Sequence, residues 1–104
     1  MIVHLATVAE WARAQATGSV APASLEQEGF IHCSRPDQVA GSIDRHFAGV
    51  DSLVLLHLDE GSFGEDLRWE EGRPGEPFPH VYRSIGLEEV LAVEPWTRSE
   101  AGPV

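Results

Sequence analysis

The sequence predicts a small α+β domain. About five or six short apolar segments bounded by turn residues indicate strands, and two segments repeat their apolar residues with the period of a helix. Because these strands and helices do not alternate regularly along the chain, a parallel α/β fold is not expected. The length of 104 residues suits one domain, which we place over residues 1–98, followed by a flexible tail over residues 99–104.

The elements of the first half are predicted from capping and periodicity. Thr7 can cap a helix that ends near Gly18, and Glu10 gives this helix start the capping-box pattern. The next helix has Pro36 in its first turn, where proline is tolerated. The predicted order is a strand over residues 2–6, a helix over 8–16, a loop with a short strand or turn over 20–27, a strand over 30–33 and a helix from 34 or 35 to 49.

The second half is predicted to contain most of the strands. Its clearest strand covers residues 52–58, and repeated glycine and proline over residues 72–79 indicate a surface loop. The remaining predicted elements are a loop over residues 60–66, a strand over about 67–71, a strand over 80–85, a short turn or helix over 86–90 and a last strand over 91–96.

The charge balance limits the possible partners. The chain has 17 Asp and Glu against seven basic residues, all of them arginine, and a formal net charge of −10. Broad binding to nucleic acid phosphates needs a basic surface and is therefore not expected. One or two arginines could still hold a small anionic ligand.

Apolar runs and cysteine content indicate the compartment. The longest apolar run, residues 53–56, is far too short to span a membrane, and the N-terminus lacks the pattern of a signal peptide. The single cysteine, Cys33, allows neither an internal disulfide nor a cysteine-rich zinc site. We therefore expect a cytoplasmic protein.

Histidines lie on or beside several predicted strands. His4, His32, His57 and His80 each have apolar neighbours. Each alone could be a core histidine that is hydrogen-bonded to a backbone carbonyl. Several in so short a chain favour a second interpretation, because each buried ring must be desolvated and paired. In that interpretation the strands bring His4, His32 and His80 together in one cleft.

The residues of the tripeptide His32-Cys33-Ser34, at the end of the second predicted strand, are expected to point to alternate faces of that strand. His32 and Ser34 share one face, and Cys33 points to the other, where it would be a small buried hydrophobic residue. Ser34 lacks the G-x-S-x-G pattern of a nucleophile elbow. We expect it to be a ligand-binding hydroxyl or a helix cap.

Two adjacent glutamates are candidates for acid chemistry. Glu70 and Glu71 face opposite sides of a predicted strand, so that one could enter a pocket while the other stays in water. Both could equally be solvated charges. A histidine cluster with a carboxylate also suits zinc. No H-x-H, H-E-x-x-H or His-x₃-His spacing occurs, however, and no metal site is predicted.

The chain resembles the bacterial family known as domain of unknown function 952. The segments that carry the resemblance are "IVHLATVAEWARAQATG", "SLEQEGFIHCSRPDQV", "LVLLHLD", "LRWEE" and "FPHVY", which extend over about residues 2–95. The resemblance implies a distant relation to the ADP-ribosyltransferases. It also implies two small, mostly antiparallel sheets that form a cleft for NAD⁺ or an ADP-ribose group.

The resemblance also implies roles for particular residues. His4 matches a first-strand ribose contact, His32 with Ser34 matches the second-strand position, and Glu70 or Glu71 is the candidate for the late acid. His80 and Tyr82 have no secure counterpart. The predicted catalytic residues are Glu70, Glu71 and His32. The predicted ligand-binding residues are His4, His32, Ser34, His80 and Tyr82.

Three functions are consistent with these observations. The first is nucleotide binding, with NAD⁺ as a possible cofactor or substrate and ADP-ribosyl or related transfer as a possible activity. The second is a non-catalytic module that binds a small ligand or serves a larger assembly. The third is a metal-dependent hydrolase that uses His4, His32 and His80. The sequence indicates neither the acceptor nor the oligomeric state.

Overall fold

The computed structural model describes residues 1–98. Its strands and short helices confirm the α+β class. In chain order they are β1 (Ile2–Thr7), α1 (Val8–Thr17), β2 (Ser19–Val20), α2 (Ala23–Glu28), β3 (Ile31–His32), α3 (Val39–His46), β4 (Ser52–Leu58), β5 (Leu67–Arg73), β6 (Glu76–Val81), β7 (Ile85–Gly86) and β8 (Val90–Thr97). The 3-10 segments are Pro36–Gln38, Glu60–Asp66 and Leu87–Glu89. The predicted tail over residues 99–104 lies outside the described residues.

The described strands form three antiparallel sheets. One has the order β1-β4-β8, the second has the order β3-β6-β5, and β2 pairs with β7 in the third. Val3 and Ser34 join the first two sheets, because their backbones exchange two hydrogen bonds of 2.8 Å. The prediction had two sheets; β2 and β7 are two residues long, which is too short to show alternation.

In the β1-β4-β8 sheet, β1 and β4 are covered on both faces, whereas most residues of β8 are exposed. Alternate residues of β1 enter different clusters: Ile2 and Ala6 join the main core, and Val3 and Leu5 pack towards Ile43 of α3. Burial on both faces explains why β1 and β4 have nearly continuous apolar sequences. The main core lies between this sheet, α1 and the β3-β6-β5 sheet.

Helix α1 confirms the predicted helix but only half of the predicted capping box. The Thr7 hydroxyl accepts a hydrogen bond from the Glu10 amide at 3.0 Å, and Gly18 ends the helix with φ 95°. The Glu10 carboxylate does not return to the Thr7 backbone; it binds His4 at 2.6 Å. The contact expected between the Glu10 carboxylate and the Thr7 backbone is therefore replaced by a contact with His4 of β1.

Two segments differ from their predicted structure. The predicted loop over residues 20–27 contains α2, which ends at Gly29 with φ 91°, a conformation that glycine adopts without a Cβ clash. The predicted loop over residues 72–79 is mostly strand: β5 extends to Arg73, and β6 begins at Glu76 and contains both Pro77 and Pro79. Pro79 presents its backbone to β3, because its carbonyl accepts from the Cys33 amide. Since β3 has only two residues, the missing proline amides remove few ladder hydrogen bonds.

Other predicted bounds change by a few residues. The strand expected over residues 30–33 is shortened to Ile31–His32, and the strand expected over residues 80–85 divides between β6 and β7. Within residues 1–98, no helix combines the length and the apolar character needed to cross a membrane.

Candidate functional site

A cleft of about 680 Å³ opens between β1, β3, α3 and the hairpin of β5 and β6. Four predicted ligand-binding residues line it, namely His4, His32, Ser34 and His80. Of the two candidate glutamates, Glu71 is part of the lining. Glu70 and the predicted Tyr82 are not; they contact each other beside His80.

His4 forms the inner wall of the cleft, and both of its ring nitrogens are bonded within the protein. Nδ1 donates to the His32 carbonyl oxygen at 2.8 Å, and Nε2 lies 2.6 Å from the Glu10 carboxylate. Burial lowers the pKa of His4, but Cys33 and Glu10 favour the charged ring, outweigh burial and raise the pKa to about 10. Because a carbonyl and a carboxylate only accept, both ring nitrogens donate, and the ring is an imidazolium ion with no free N–H.

The rings of Phe30, His32 and His80 form a cluster in the cleft lining, here called the aromatic rim, in which His32 is exposed and His80 is buried. Phe30 stacks on His80, with centroids 4.2 Å apart and planes at 17°. His32 meets Phe30 edge-on at 4.8 Å and His80 at 5.3 Å. The register of β3 against β6 places His32 directly opposite His80, so the sheet itself creates this cluster.

Each rim histidine uses one nitrogen for a glutamate and leaves the other unbonded. His32 Nε2 lies 2.7 Å from Glu28, and His80 Nδ1 lies 2.7 Å from Glu70. A carboxylate only accepts, so these nitrogens carry the protons. In the neutral ring, Nδ1 of His32 and Nε2 of His80 are then acceptors without a partner among the described residues.

Glu70 is held in place from two sides. Its Oε1 accepts from the Tyr82 hydroxyl at 2.6 Å and from His80 Nδ1. The hydrogen bond from Tyr82, followed by that from His80, lowers the pKa of Glu70, and the same carboxylate raises the pKa of Tyr82. Glu70 is thus an ionised group that orients His80.

Glu71 and Ser34 occupy different parts of the lining. Glu71 is exposed at the cleft edge, where its carboxylate accepts from the Gly75 amide at 3.1 Å. Ser34 is buried, and its hydroxyl lies 2.8 Å from that of Ser42 on α3. Ser34 does not cap a helix; the 3-10 turn after it begins at Pro36, with Arg35 in the cap position.

The sequence reasoning missed several residues of the site. Glu10 was interpreted only as a capping residue, and Phe30, Ser42 and Arg45 were not singled out for the site. Phe30 carried a usable signal, because it lies two residues before His32 on the same face of a predicted strand. Ser42 and Arg45 carried none, because their proximity to β3 depends on how α3 packs.

Other possible sites offer less. No group of three or more His, Cys, Asp or Glu side chains within residues 1–98 is placed to hold a metal ion. A smaller cavity of about 460 Å³ lies on the other side of Glu10 and includes Arg13, but neither histidine nor aromatic side chains line it.

Comparison with known proteins identifies the family. A family described as protein of unknown function (DUF952) matches residues 5–93. The crystal structure of protein CC0527 from Caulobacter crescentus, a target of the Northeast Structural Genomics Consortium, is 35% identical, with a TM-score of 0.88. The match covers 97% of this chain and 90% of that one.

Two further structures of CC0527 agree with this match. A crystal structure of a double methionine variant has a TM-score of 0.88, and the solution NMR structure has a TM-score of 0.83 over 88% of its chain. No curated protein matches the chain. The family match extends over most of the chain, and the fold and identity agree with it: the chain belongs to the DUF952 family of proteins of unknown function.

Proposed function

We propose that the cleft binds a nucleotide of the NAD⁺ class. The observation that carries this proposal is the rim, where two histidines with one unbonded nitrogen each flank the ring of Phe30. A volume of about 680 Å³ is within the range of pockets for small organic ligands. Aromatic surface beside fixed polar groups is the usual composition of such pockets.

The protonation of the rim suits hydroxyl groups on the ligand. Glu28 and Glu70 hold the protons on one side of each ring, so the opposite nitrogens of His32 and His80 are acceptors without a partner among the described residues. A ribose presents hydroxyl donors, and a nucleobase or a nicotinamide ring can stack on an aromatic side chain. This fit supports a ligand that contains both parts.

The reaction that we propose for the bound nucleotide is transfer of its ADP-ribosyl group. The bond between the nicotinamide nitrogen and the ribose carbon breaks, and its electron pair leaves with nicotinamide. The oxygen of water, or of another acceptor, bonds to the ribose carbon and loses a proton. Glu71 on the cleft edge would stabilise the positive charge that develops on the ribose, and the free nitrogen of His32 would take the proton.

A non-catalytic binding module is the second candidate. The specific observation in its favour is that both candidate carboxylates already have donors within the protein. Glu70 accepts from Tyr82 and His80, and Glu71 accepts from the Gly75 amide. A carboxylate satisfied in this way orients its neighbours and contributes less to a reacting ligand. Binding would then persist without turnover.

A thermal-shift experiment tests ligand binding. NAD⁺ at millimolar concentration should raise the melting temperature of the full chain, and His32→Ala should remove the increase. His57→Ala is the matched control, because His57 also pairs with a glutamate, Glu94 at 2.8 Å, but lies outside the cleft lining. If NAD⁺ raises the melting temperature of neither the wild-type protein nor the control, the nucleotide proposal is wrong.

Nicotinamide release separates the two candidates. If transfer occurs, the wild-type protein releases nicotinamide from NAD⁺, and Glu71→Gln slows the release at least about tenfold while binding is retained. Glu70→Gln serves as the comparison, because Glu70 is outside the lining and should act through His80. Binding without release in the wild-type protein would favour the non-catalytic module.

A further inference from the structure

Two buried hydroxyls face the cleft from the side of α3. Ser34 and Ser42 are 4% and 5% exposed, and both belong to the lining. Their hydroxyl oxygens are 2.8 Å apart and share one hydrogen bond. Two hydroxyls carry two hydrogens, and neither makes another hydrogen bond among the described residues. One buried O–H donor is therefore left for a ligand acceptor.

Arg45 lies three residues after Ser42, on the same side of α3, and also lines the cleft. Its guanidinium is 5.6 Å from the centroid of Phe78, a residue of the opposite wall. A Cβ on Gly41 would lie only 3.2 Å from Arg45 Nη1, so the side chain folds back along the helix over this glycine. Arg45 is exposed, and its guanidinium lies over the Phe78 ring at the wall of the cleft.

Arg45 makes no ion pair with any carboxylate that the structure describes, although the chain has 17 acidic residues. Among the described residues Arg13, Arg68 and Arg98 also have no such partner, whereas Arg35, Arg73 and Arg83 have one. Of the four described arginines without an ion pair, Arg45 is the one that lines the cleft. The three glutamates of the cleft lining already have donors: Glu10 binds His4, Glu28 binds His32, and Glu71 binds the Gly75 amide. The arginine therefore retains its capacity to bind an anion.

We propose that Ser34, Ser42 and Arg45 form an anion subsite that binds a phosphate group of the ligand. The inference rests on the proposed nucleotide-binding function, and it identifies which wall takes which part of the ligand. The rim offers acceptors for hydroxyl groups, whereas the α3 wall offers a hydroxyl donor and a guanidinium. A guanidinium can give two parallel hydrogen bonds to a phosphate, which makes it well suited to this subsite.

Calorimetric titration of the full chain with ADP-ribose, adenosine and inorganic pyrophosphate tests the subsite. Arg45→Gln should weaken ADP-ribose binding about tenfold or more, because a charge-assisted hydrogen bond is lost, and should leave adenosine binding unchanged. Arg45→Lys should recover part of the affinity. Ser42→Ala should weaken ADP-ribose binding by a smaller factor, with the urea midpoint measured alongside to verify folding.

The control variant is Arg13→Gln. Arg13 is an exposed arginine of α1 outside this cleft, so the substitution removes the same charge from the chain. Equal affinities for ADP-ribose in Arg45→Gln and Arg13→Gln would overturn the subsite, even if adenosine and NAD⁺ bind. Pyrophosphate binding that depends on Arg45, in a protein that binds no nucleotide, would support the subsite and contradict the nucleotide proposal. If none of these ligands binds, both proposals are wrong.

Discussion

The inner wall and the rim of the cleft use the same pair of residue types for different ends. On the inner wall, His4 and Glu10 form an ion pair in which the histidine side chain is 6% exposed. On the rim, His32 and Glu28 form a pair with almost the same distance, 2.7 Å against 2.6 Å, but the His32 side chain is 56% exposed. The bonding of these two pairs is alike, and their environment differs. His80, the second histidine of the rim, is 8% exposed and differs from His4 in its bonding, because only one of its ring nitrogens has a partner among the described residues.

The difference separates a histidine bonded entirely within the fold from the histidines that we propose to contact the ligand. The buried ring has both nitrogens bonded and cannot offer one to a ligand without breaking an internal bond. The rim rings each keep a free nitrogen, and their glutamates fix which nitrogen that is. A ribose contact by His4, as the family resemblance implies, stays a prediction, and the geometry favours His32 and His80 for direct contact.

Removing the carboxylate that pairs with the buried His4 has the largest expected effect. Glu10→Gln should lower the free energy of unfolding by about 3 kcal/mol, the lower end of the cost of breaking a buried ion pair. The hydrogen bond from the residue 10 amide to Thr7 is kept, because it uses the backbone. Urea denaturation measures the loss.

Glu94→Gln is the matched control for that experiment. Glu94 pairs with His57 at 2.8 Å, and its side chain is 58% exposed. Its loss should cost no more than about 1 kcal/mol, as for other exposed pairs. Similar losses in the two variants would show that burial does not distinguish the pairs.

Stability should fall as the pH rises, because the pKa of His4 is raised from 6.5 to about 10 in the folded protein. Below pH 6.5 both states hold the proton, and the stabilisation is complete. Between pH 6.5 and 10 the unfolded chain loses the proton first, so the stabilisation declines with rising pH and is gone above the folded pKa. Urea denaturation measures the free energy of unfolding at pH 7 and at pH 10. The decrease between the two pH values should be smaller in Glu10→Gln than in the wild-type protein.

Loss of the rim ring should have an intermediate effect on stability. Phe30→Leu keeps apolar bulk but removes the stack on His80, which should cost about 1 kcal/mol in unfolding and also weaken NAD⁺ binding. Phe63→Leu is the control, because Phe63 is 3% exposed in the main core and does not line the cleft. That variant should lose stability with no change in NAD⁺ affinity; a parallel loss of affinity would weaken the case for the rim.

The smallest expected effect on stability is that of His32→Ala. Its ion pair with Glu28 is exposed, so the free energy of unfolding, measured by urea denaturation, should fall by less than about 1 kcal/mol. The same substitution should nevertheless remove the NAD⁺-dependent increase in melting temperature. A large loss of stability without any effect on the ligand would assign His32 to the fold instead of the site.

Local patterns in the sequence predicted much of the fold. The Thr7 cap and the end at Gly18 follow from chemistry within one helix. Prediction failed where tertiary packing overrides local signals. Pro77 and Pro79 indicated a loop, but β6 tolerates them because β3 pairs only with its last two residues, at Val81 and His80.

The candidate site was less accessible from sequence than the fold. The prediction that His4, His32 and His80 converge needed only neighbouring strands, and the structure places all three in one lining. The glutamate that pairs with each histidine could not be predicted, because the separations are 6, 4 and 10 residues and follow no common pattern. The positions of α1 and α2 and the register of β5 against β6 decide those pairs.

Nuclear magnetic resonance of the histidine rings tests the central claim most directly, that the rim and not the inner wall contacts the ligand. The full chain, labelled with nitrogen-15, is titrated with NAD⁺ while the ring nitrogens are recorded. The account predicts saturable shifts for His32 and His80, with His4 still protonated on both nitrogens and His57 unchanged. Shifts of His4 with His32 and His80 unmoved, or shifts of His57 as large as those of the rim, would contradict it.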